Sequence, residues 1–360
     1  MTEQVYKDLL EVMISRRGAY AGMDIPEFFE LVEVLFTPQE AEINNALPAQ
    51  PAAAGDIAKG MGRNEDELTG ILDAMADKGL CKTFVKNGVR LYQGVPFIPG
   101  IFEYQFMGGQ ATKRHKRIAR LIHAYEQAYG AAKGKTKMTF PVSRVIPVDR
   151  TISAGNTVHT YDQVATYIDR YENIAVGTCY CRHAALLRDE DVHGMPSDVC
   201  MWFGNMAEYA IERLGVRRMS KQEAMDVLNR SEEAGLIHMS RNTTEDIEFI
   251  CNCDRWHCGT IKGVLKQSKP ALFFNSGFQP VFDPDQCTAC ETCIERCPSE
   301  ALSMGDNDVP QVNLDRCFGC AVCATGCAFE AIEMEAKTNF PAPPKDPREL
   351  VASIKASYSK

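Results

Sequence analysis

Apolar positions in the first third of the chain recur at helical spacing. Val5, Leu9, Leu10, Val12 and Met13 form one stripe, and the run from Phe28 to Phe36 forms a second. Thr37-Pro-Gln-Glu40 then has the form of a capping box, with Thr37 as N-cap, Pro38 at the first helical position and Glu40 at the third. Past a loose Pro/Ala stretch at 48–54, Asp56-Ile-Ala-Lys59 begins a short helix. Asn64 caps a longer one that runs through Leu68, Ile71, Leu72 and Met75 and ends at Gly79. The period then changes to two: Lys82–Lys86 and Val89–Gln93 alternate on either side of Asn87-Gly88, a strong hairpin signal.

Helix, helix, helix, hairpin is the order of a winged helix-turn-helix, and residues 37–95 resemble one in pattern. The helix that would enter a DNA groove carries Glu65, Asp66, Glu67 and Asp73, a poor face to offer phosphates. A scaffold or partner-binding use is therefore expected, and nucleic acid is not an expected partner. Residues 108–130 read as one long basic helix. Between Thr112 and Lys137 lie eight bases (Lys113, Arg114, Lys116, Arg117, Arg120, Lys133, Lys135, Lys137) against Glu126. That stretch is either a docking face for an acidic partner or a solvated helix face. Residues 140–153 read as extended, and Tyr161–Tyr171 as a helix leading into a strand, Ile174–Gly177. Ser220-Lys-Gln-Glu223 is a second capping box, opening a helix that ends at Gly235. Phe340–Pro347 is a stiff linker to a terminal helix.

Charge and composition narrow the class. The chain has 360 residues and a net charge of −9, which argues weakly against nucleic acid as its main partner. It begins without a basic region followed by an apolar run. No window approaches the roughly 18 apolar residues of a membrane helix, so a cytoplasmic protein without a span is expected. Fifteen cysteines are unusual in that compartment, where disulfides are rare. Cys81 stands alone in an apolar context and reads as a small buried hydrophobe. The other fourteen lie beyond residue 178 in tight groups, which suits thiolates converging on metal better than a disulfide framework.

The most specific feature is Cys287-x2-Cys290-x2-Cys293-x3-Cys297-Pro298, repeated as Cys317-x2-Cys320-x2-Cys323-x3-Cys327-Ala328. Over about 50 residues the chain here resembles the bacterial ferredoxin domain with two [4Fe-4S] clusters. The resemblance implies crossed ligand sets, because the fourth cysteine of each run serves the other cluster. Cys287, Cys290, Cys293 and Cys327 would hold one cube, and Cys317, Cys320, Cys323 and Cys297 the second. Ala328, where the family usually has proline, leaves the ligands intact.

A second group lies between 179 and 258: Cys179-Tyr-Cys181-Arg-His183, then His193 to Cys200, then Cys251-Asn-Cys253-Asp-Arg-Trp-His257-Cys258. Six cysteines and three histidines could gather around one or two further centres, iron–sulfur or zinc. The alternative is burial without metal. This portion resembles a group of iron–sulfur proteins of anaerobic microbes that join a winged-helix-like start, Cys-x-Cys-Arg and Cys-Asn-Cys segments and a terminal two-cluster ferredoxin. Where that pattern has further cysteines this chain has His193 and Asp254. Cys179, Cys181, Cys200, Cys251, Cys253, Cys258 and His193 are the candidate ligands.

No Gly-x-Gly-x-x-Gly follows a strand and no phosphate loop is present, so no motif supports nicotinamide, flavin or ATP. The expected architecture is α+β: a helical, winged-helix-like domain at 1–107, a middle α/β metal-binding domain at 108–272, a two-cluster ferredoxin domain at 273–336, and a linker with terminal helix at 337–360. The expected function is single-electron transfer between a redox protein partner and an oxidoreductase, with or without an additional middle cluster on the way. Two other roles fit the same residues: an oxidoreductase acting at the middle metal, and an iron–sulfur redox-sensing regulator.

Overall fold

The computed structural model describes residues 2–134, 139–148, 151–152, 163–245 and 247–358. The expectations for Lys135, Lys137 and part of 140–153 and 161–171 fall outside these. The chain is a mixed α+β protein that divides into two compact units. Residues 1–136, 177–191 and 205–218 make the first; 137–176, 192–204 and 219–360 make the second. Among the described residues no helix is long and apolar enough to cross a membrane.

The first unit opens with helices Thr2–Arg16, Pro26–Leu35 and Pro38–Ala46, the last fixed by a complete capping box between Thr37 and Glu40. Helices Ala54–Met61 and Glu65–Asp77 follow. The Asn64 side chain accepts from Glu67 N at 3.0 Å, and Gly79, at φ +68, closes the helix with a Schellman pair: Gly79 N to Ala76 O and Leu80 N to Met75 O. The hairpin Lys82–Lys86/Val89–Gln93 turns at Asn87 and Gly88, both with positive φ, and its second strand also pairs with Ala52–Ala53. Phe28, Phe97, Phe102 and Tyr125 form the aromatic centre of this unit.

The basic helix runs over Lys113–Lys133, capped by Thr112, and buries Ile118, Ala119, Ile122, Tyr125 and Tyr129. Several of its cations have internal tasks. Arg114 donates to the terminal carbonyls Val34 O and Leu35 O of another helix, Arg120 pairs with Asp189, and Lys133 donates to the Tyr129 hydroxyl. Lys113, Lys116 and Arg117 are exposed. Asp73 likewise departs from its expected place on a solvent-facing acidic surface. It accepts from Tyr92 Oη at 2.9 Å and Arg213 Nη2 at 2.8 Å, while Glu65, Asp66 and Glu67 remain exposed in the first turn.

In the second unit, strands Ser143–Val145, Ile237–Arg241, Phe249–Cys253, Cys200–Phe203 and Ile174–Gly177 lie side by side in that order. The pairings among the first four are antiparallel, with Met239 opposite Cys251, Ile237 opposite Cys253 and Met201 opposite Ile250. Helices Val164–Arg170 and Lys221–Glu233 cover one side through Tyr167, Ile168, Val227 and Leu228. The C-terminal segment adds two antiparallel pairs, Phe278–Phe282 with Ile332–Ala336 and Leu302–Met304 with Pro310–Val312. It is built twice. Cys287 N and Cys317 N donate to Asp283 O and Asn313 O, both at 3.0 Å, and Glu291 and Ala321 adopt left-handed conformations ahead of helices Thr292–Glu295 and Val322–Thr325.

This segment is packed onto the rest of its unit, not tethered to it. Arg296 donates to Glu232 O (3.1 Å) and Glu233 O (3.3 Å) at the end of helix Lys221–Glu233, and to Val322 O (3.3 Å). Asn275 and Ser276 side chains donate to Cys317 O and Gly319 O at 2.8 and 2.7 Å.

Candidate metal centres

The doubled cysteine run builds two cavities. Each tight loop presents three cysteines, and the fourth of each run lies past a four-residue helix, where the chain has moved beside the other loop. Cys287, Cys290, Cys293 and Cys327 line the first cavity with Phe282, Pro310 and Ile332. Cys297, Cys317, Cys320 and Cys323 line the second with Phe318, Leu302 and Met334. The space in each, open solvent at its mouth included, is about 360 and 310 Å³. Cys293, Cys297, Cys317 and Cys323 pack into one cluster of buried side chains, so the cavities are neighbours.

Electrostatics separates the two. Thr292 hydrogen-bonds to Cys290 through its side chain and its backbone N–H, lowering that thiol's pKa. Burial pushes the Cys317, Cys320 and Cys323 thiols up, and their mutual repulsion with Cys297 adds to the effect. Four thiolates in such a desolvated cavity require a cation to hold them deprotonated. Backbone N–H groups of Gly319 and Val322 bond to the sulfurs of Cys317 and Cys320, and Ala301 N lies 3.3 Å from Cys297 Sγ. N–H groups aimed at sulfur are what a charged, thiolate-held cluster needs around it. Among the described residues no three Cys, His, Asp or Glu side chains meet closely enough to hold one ion. In both cavities the sulfurs surround a space, as ligands at the corners of an iron–sulfur cube must. The donor set, the apolar walls and the N–H groups fit [4Fe-4S] cubes.

Residues 279–338 match the family model of the 4Fe-4S dicluster domain. The C-terminal segment is thus a ferredoxin-type iron–sulfur domain. Curated proteins offer no match to the chain.

The other candidate residues divide between the units. In the first, Cys179 is the buried N-cap of helix Tyr180–Leu187 and Cys181 lies in its first turn. His183 on that helix places Nε2 2.9 Å from Gln110 O, so Nε2 carries a proton. In the second, Cys200 begins a strand, Cys251 and Cys253 lie on another, and Cys258 is the N-cap of helix Gly259–Leu265. Cys251, Cys253 and Cys258 share a packed cluster with Val145 and Phe274, and with Val322 and Cys320 of the dicluster domain. The His193 ring lies tilted against those of Trp256 and His257, with ring centroids 5.0 and 5.8 Å away. Asp254 holds the turn between the cysteines: its carboxylate accepts from Trp256 N and His257 N at 2.8 and 2.6 Å. Cys81 is fully buried, with its thiol pushed up to about 12 by burial.

Two features of the site had no signal in sequence. The packed cluster shared by Cys320 and the Cys251–Cys258 group depends on how the sheet meets the dicluster domain. Arg296, between two cysteines of one run, points away from both cavities to helix carbonyls. Asp254 was accessible in principle, since an Asp side chain that accepts from the backbone two residues on is a common turn former.

Proposed function

We propose that the protein is an iron–sulfur electron-transfer protein in which the dicluster domain holds two [4Fe-4S] cubes on crossed ligand sets. The observation that carries this reading is the pair of four-thiol cavities, each completed by a cysteine from the opposite run. Cubes bound there supply one-electron oxidation and reduction. The chain's part is to hold them adjacent, exclude water from the second, and bond to their sulfurs through backbone N–H groups. Cysteines and apolar side chains make up most of the lining of both cavities, so relay is the simplest role for them.

A third station on Cys251, Cys253 and Cys258 extends this reading, supported by the packed cluster they share with Cys320. Cys179, Cys181, Cys200 and His193 are further candidate ligands. The N-terminal helices and hairpin are read as a winged-helix-like scaffold, the middle strands and helices as an α/β metal-binding domain. This organisation, with a cytoplasmic setting, accords with the whole-chain resemblance to iron–sulfur proteins of anaerobes. Redox protein partners or oxidoreductase subunits would exchange the electrons, and the exposed Lys113, Lys116 and Arg117 are a candidate face for an acidic one.

The test is anaerobic purification with iron and sulfide analysis and electron paramagnetic resonance. About eight irons with matching sulfide fit the dicluster domain alone, and about twelve would add the third station. Tetrahedral zinc without sulfide would overturn the reading.

A further inference from the structure

The two cavities differ in what separates them from solvent. In the first, Cys290 is exposed, Cys287 and Cys327 are partly so, and Phe329 stands at the rim with half its surface in water. In the second, Cys297, Cys317 and Cys323 are buried behind Phe318, Ala321 and Met334, whose exposures are 1, 1 and 0%. Cys320 packs against the same cluster of buried side chains as Cys251, Cys253 and Cys258. The probability that an electron crosses falls steeply with distance, so the first cavity is where a docked protein can reach.

Charge marks the same place. Residues 279–338 contain eleven Asp or Glu against three bases, which gives −8 of the chain's −9. Four of those acids, all exposed, lie by the first cavity. Glu291 lines it, Glu330 follows Phe329, Asp285 lies two residues before Cys287, and the Asp308 carbonyl is 4.0 Å from Cys287 Sγ. The segment's bases do not offset them there. Arg296 is held by helix carbonyls, Arg316 by Ser299 O and Glu300, and Lys337 is half-buried.

We propose that a one-electron carrier protein with a lysine- or arginine-lined face docks over the first cavity. It would sit on Asp285, Glu291, Asp308 and Glu330 around Cys290 and Phe329. The second cavity is then the inner station. The arrangement has an apolar, exposed centre with a charged rim, as transient interfaces do, and rim charges act on encounter rate and salt dependence. A single electron crosses with no bond made or broken and no proton moved; the carrier and the dicluster domain change by one electron in opposite senses.

This rests on the dicluster reading above, and the experiment separates the two. Full-length protein with anaerobically assembled clusters is titrated with ferric cytochrome c, a one-electron carrier with a lysine-lined face. Affinity is measured at low and high salt, and the reduced protein's electron transfer is followed by stopped flow. Glu291→Lys/Asp308→Lys should weaken binding tenfold or more at low salt, with a shallower salt dependence and slower transfer. Glu11→Lys/Glu30→Lys, the same charge change on exposed residues of the first unit, and Glu335→Lys, on the strand beyond Met334, should stay within twofold. Equal losses in all three variants, or none in the first, would overturn the docking site while the iron and sulfide content left the dicluster reading standing. A full-length protein that assembled no clusters would overturn both.

Discussion

Removing the Arg296 guanidinium should loosen the dicluster domain without touching a single sulfur. The side chain makes three hydrogen bonds to backbone carbonyls, two of them at the C-terminal end of helix Lys221–Glu233. A hydrogen bond to a charged group contributes about 1.5–3 kcal/mol net, and a cation at a helix C-terminus about 0.3–1 kcal/mol. The three bonds share one guanidinium, one lies at the exposed edge, and such terms do not add. A loss of roughly 2–4 kcal/mol for Arg296→Ala follows. Arg296→Lys keeps the charge but not the fork, so it should lose about half as much.

Gly326 provides an independent handle on the same contact. A Cβ there would collide with the Arg296 guanidinium and its Cδ, so Gly326→Ala should expel the fork and destabilise to a similar extent. The double variant Arg296→Ala/Gly326→Ala should be little worse than either single, since both remove the same interaction. Anaerobic urea unfolding of the cluster-loaded protein, read by tryptophan fluorescence and by cluster absorbance, gives the numbers. Fully additive losses, or Arg296→Ala within about 0.5 kcal/mol of wild type, would refute the reasoning.

Three further outcomes are expected. Cys297→Ser should disturb the cluster of Cys317, Cys320 and Cys323, not that of its neighbours Cys290 and Cys293; resonance spectra showing the reverse would refute the crossed sets. Glu103, whose carboxyl burial pushes up to about 7, should make the first unit less stable as pH rises from 4.5 through 7, because the folded state there keeps a proton the unfolded chain has lost. Glu103→Gln keeps an acceptor for Gly100 N and should flatten that slope, a change on the order of 1–2 kcal/mol in chemical unfolding at pH 8 relative to pH 5; parallel profiles would exclude it. Fluorescence anisotropy at physiological salt should find DNA bound no tighter than roughly 10⁻⁴ M, and nanomolar sequence-specific binding would revive a regulatory role.

Local chemistry was legible in the sequence. Asn87-Gly88 turns the hairpin because both residues accept positive φ, and Thr37, Asn64 and Ser220 cap helices because their oxygens reach backbone N–H groups three residues on. The cysteine runs are of the same kind, since spacing within a loop fixes where its thiols stand. What escaped is long-range. Asp73 lies on an acidic helix, yet Tyr92 and Arg213 claim it, and Arg213 is 140 positions away in sequence. The eight bases near the long helix looked uniform, but Arg114 is spent on the carbonyls of another helix some 80 residues earlier. Periodicity gives the buried face of an element and is silent about which distant polar group meets its edges.

The strand Phe249–Cys253 shows why the middle thiols bear on the dicluster domain. Successive residues of a strand point to opposite faces. Asn252 accordingly faces the opposite way from its neighbours, with Oδ1 2.5 Å from His238 Nδ1 and Nδ2 donating to Val199 O at 2.6 Å. Cys251 and Cys253 take the other face and join Cys258, Phe318, Val322 and Cys320. A Cys-Asn-Cys sequence on a strand therefore does two things at once. Its amide ties the sheet together on one side, and its two thiols meet the wall of the second cavity on the other. A shift of one residue in pairing with Ile237–Arg241 would exchange these roles, turning both thiols away from Cys320 and leaving the buried His238 without its amide partner. The register that stabilises the sheet is thus the register that sets Cys251 and Cys253 on the side of the cluster shared with Cys320, and perturbing Asn252 should be felt at Cys320.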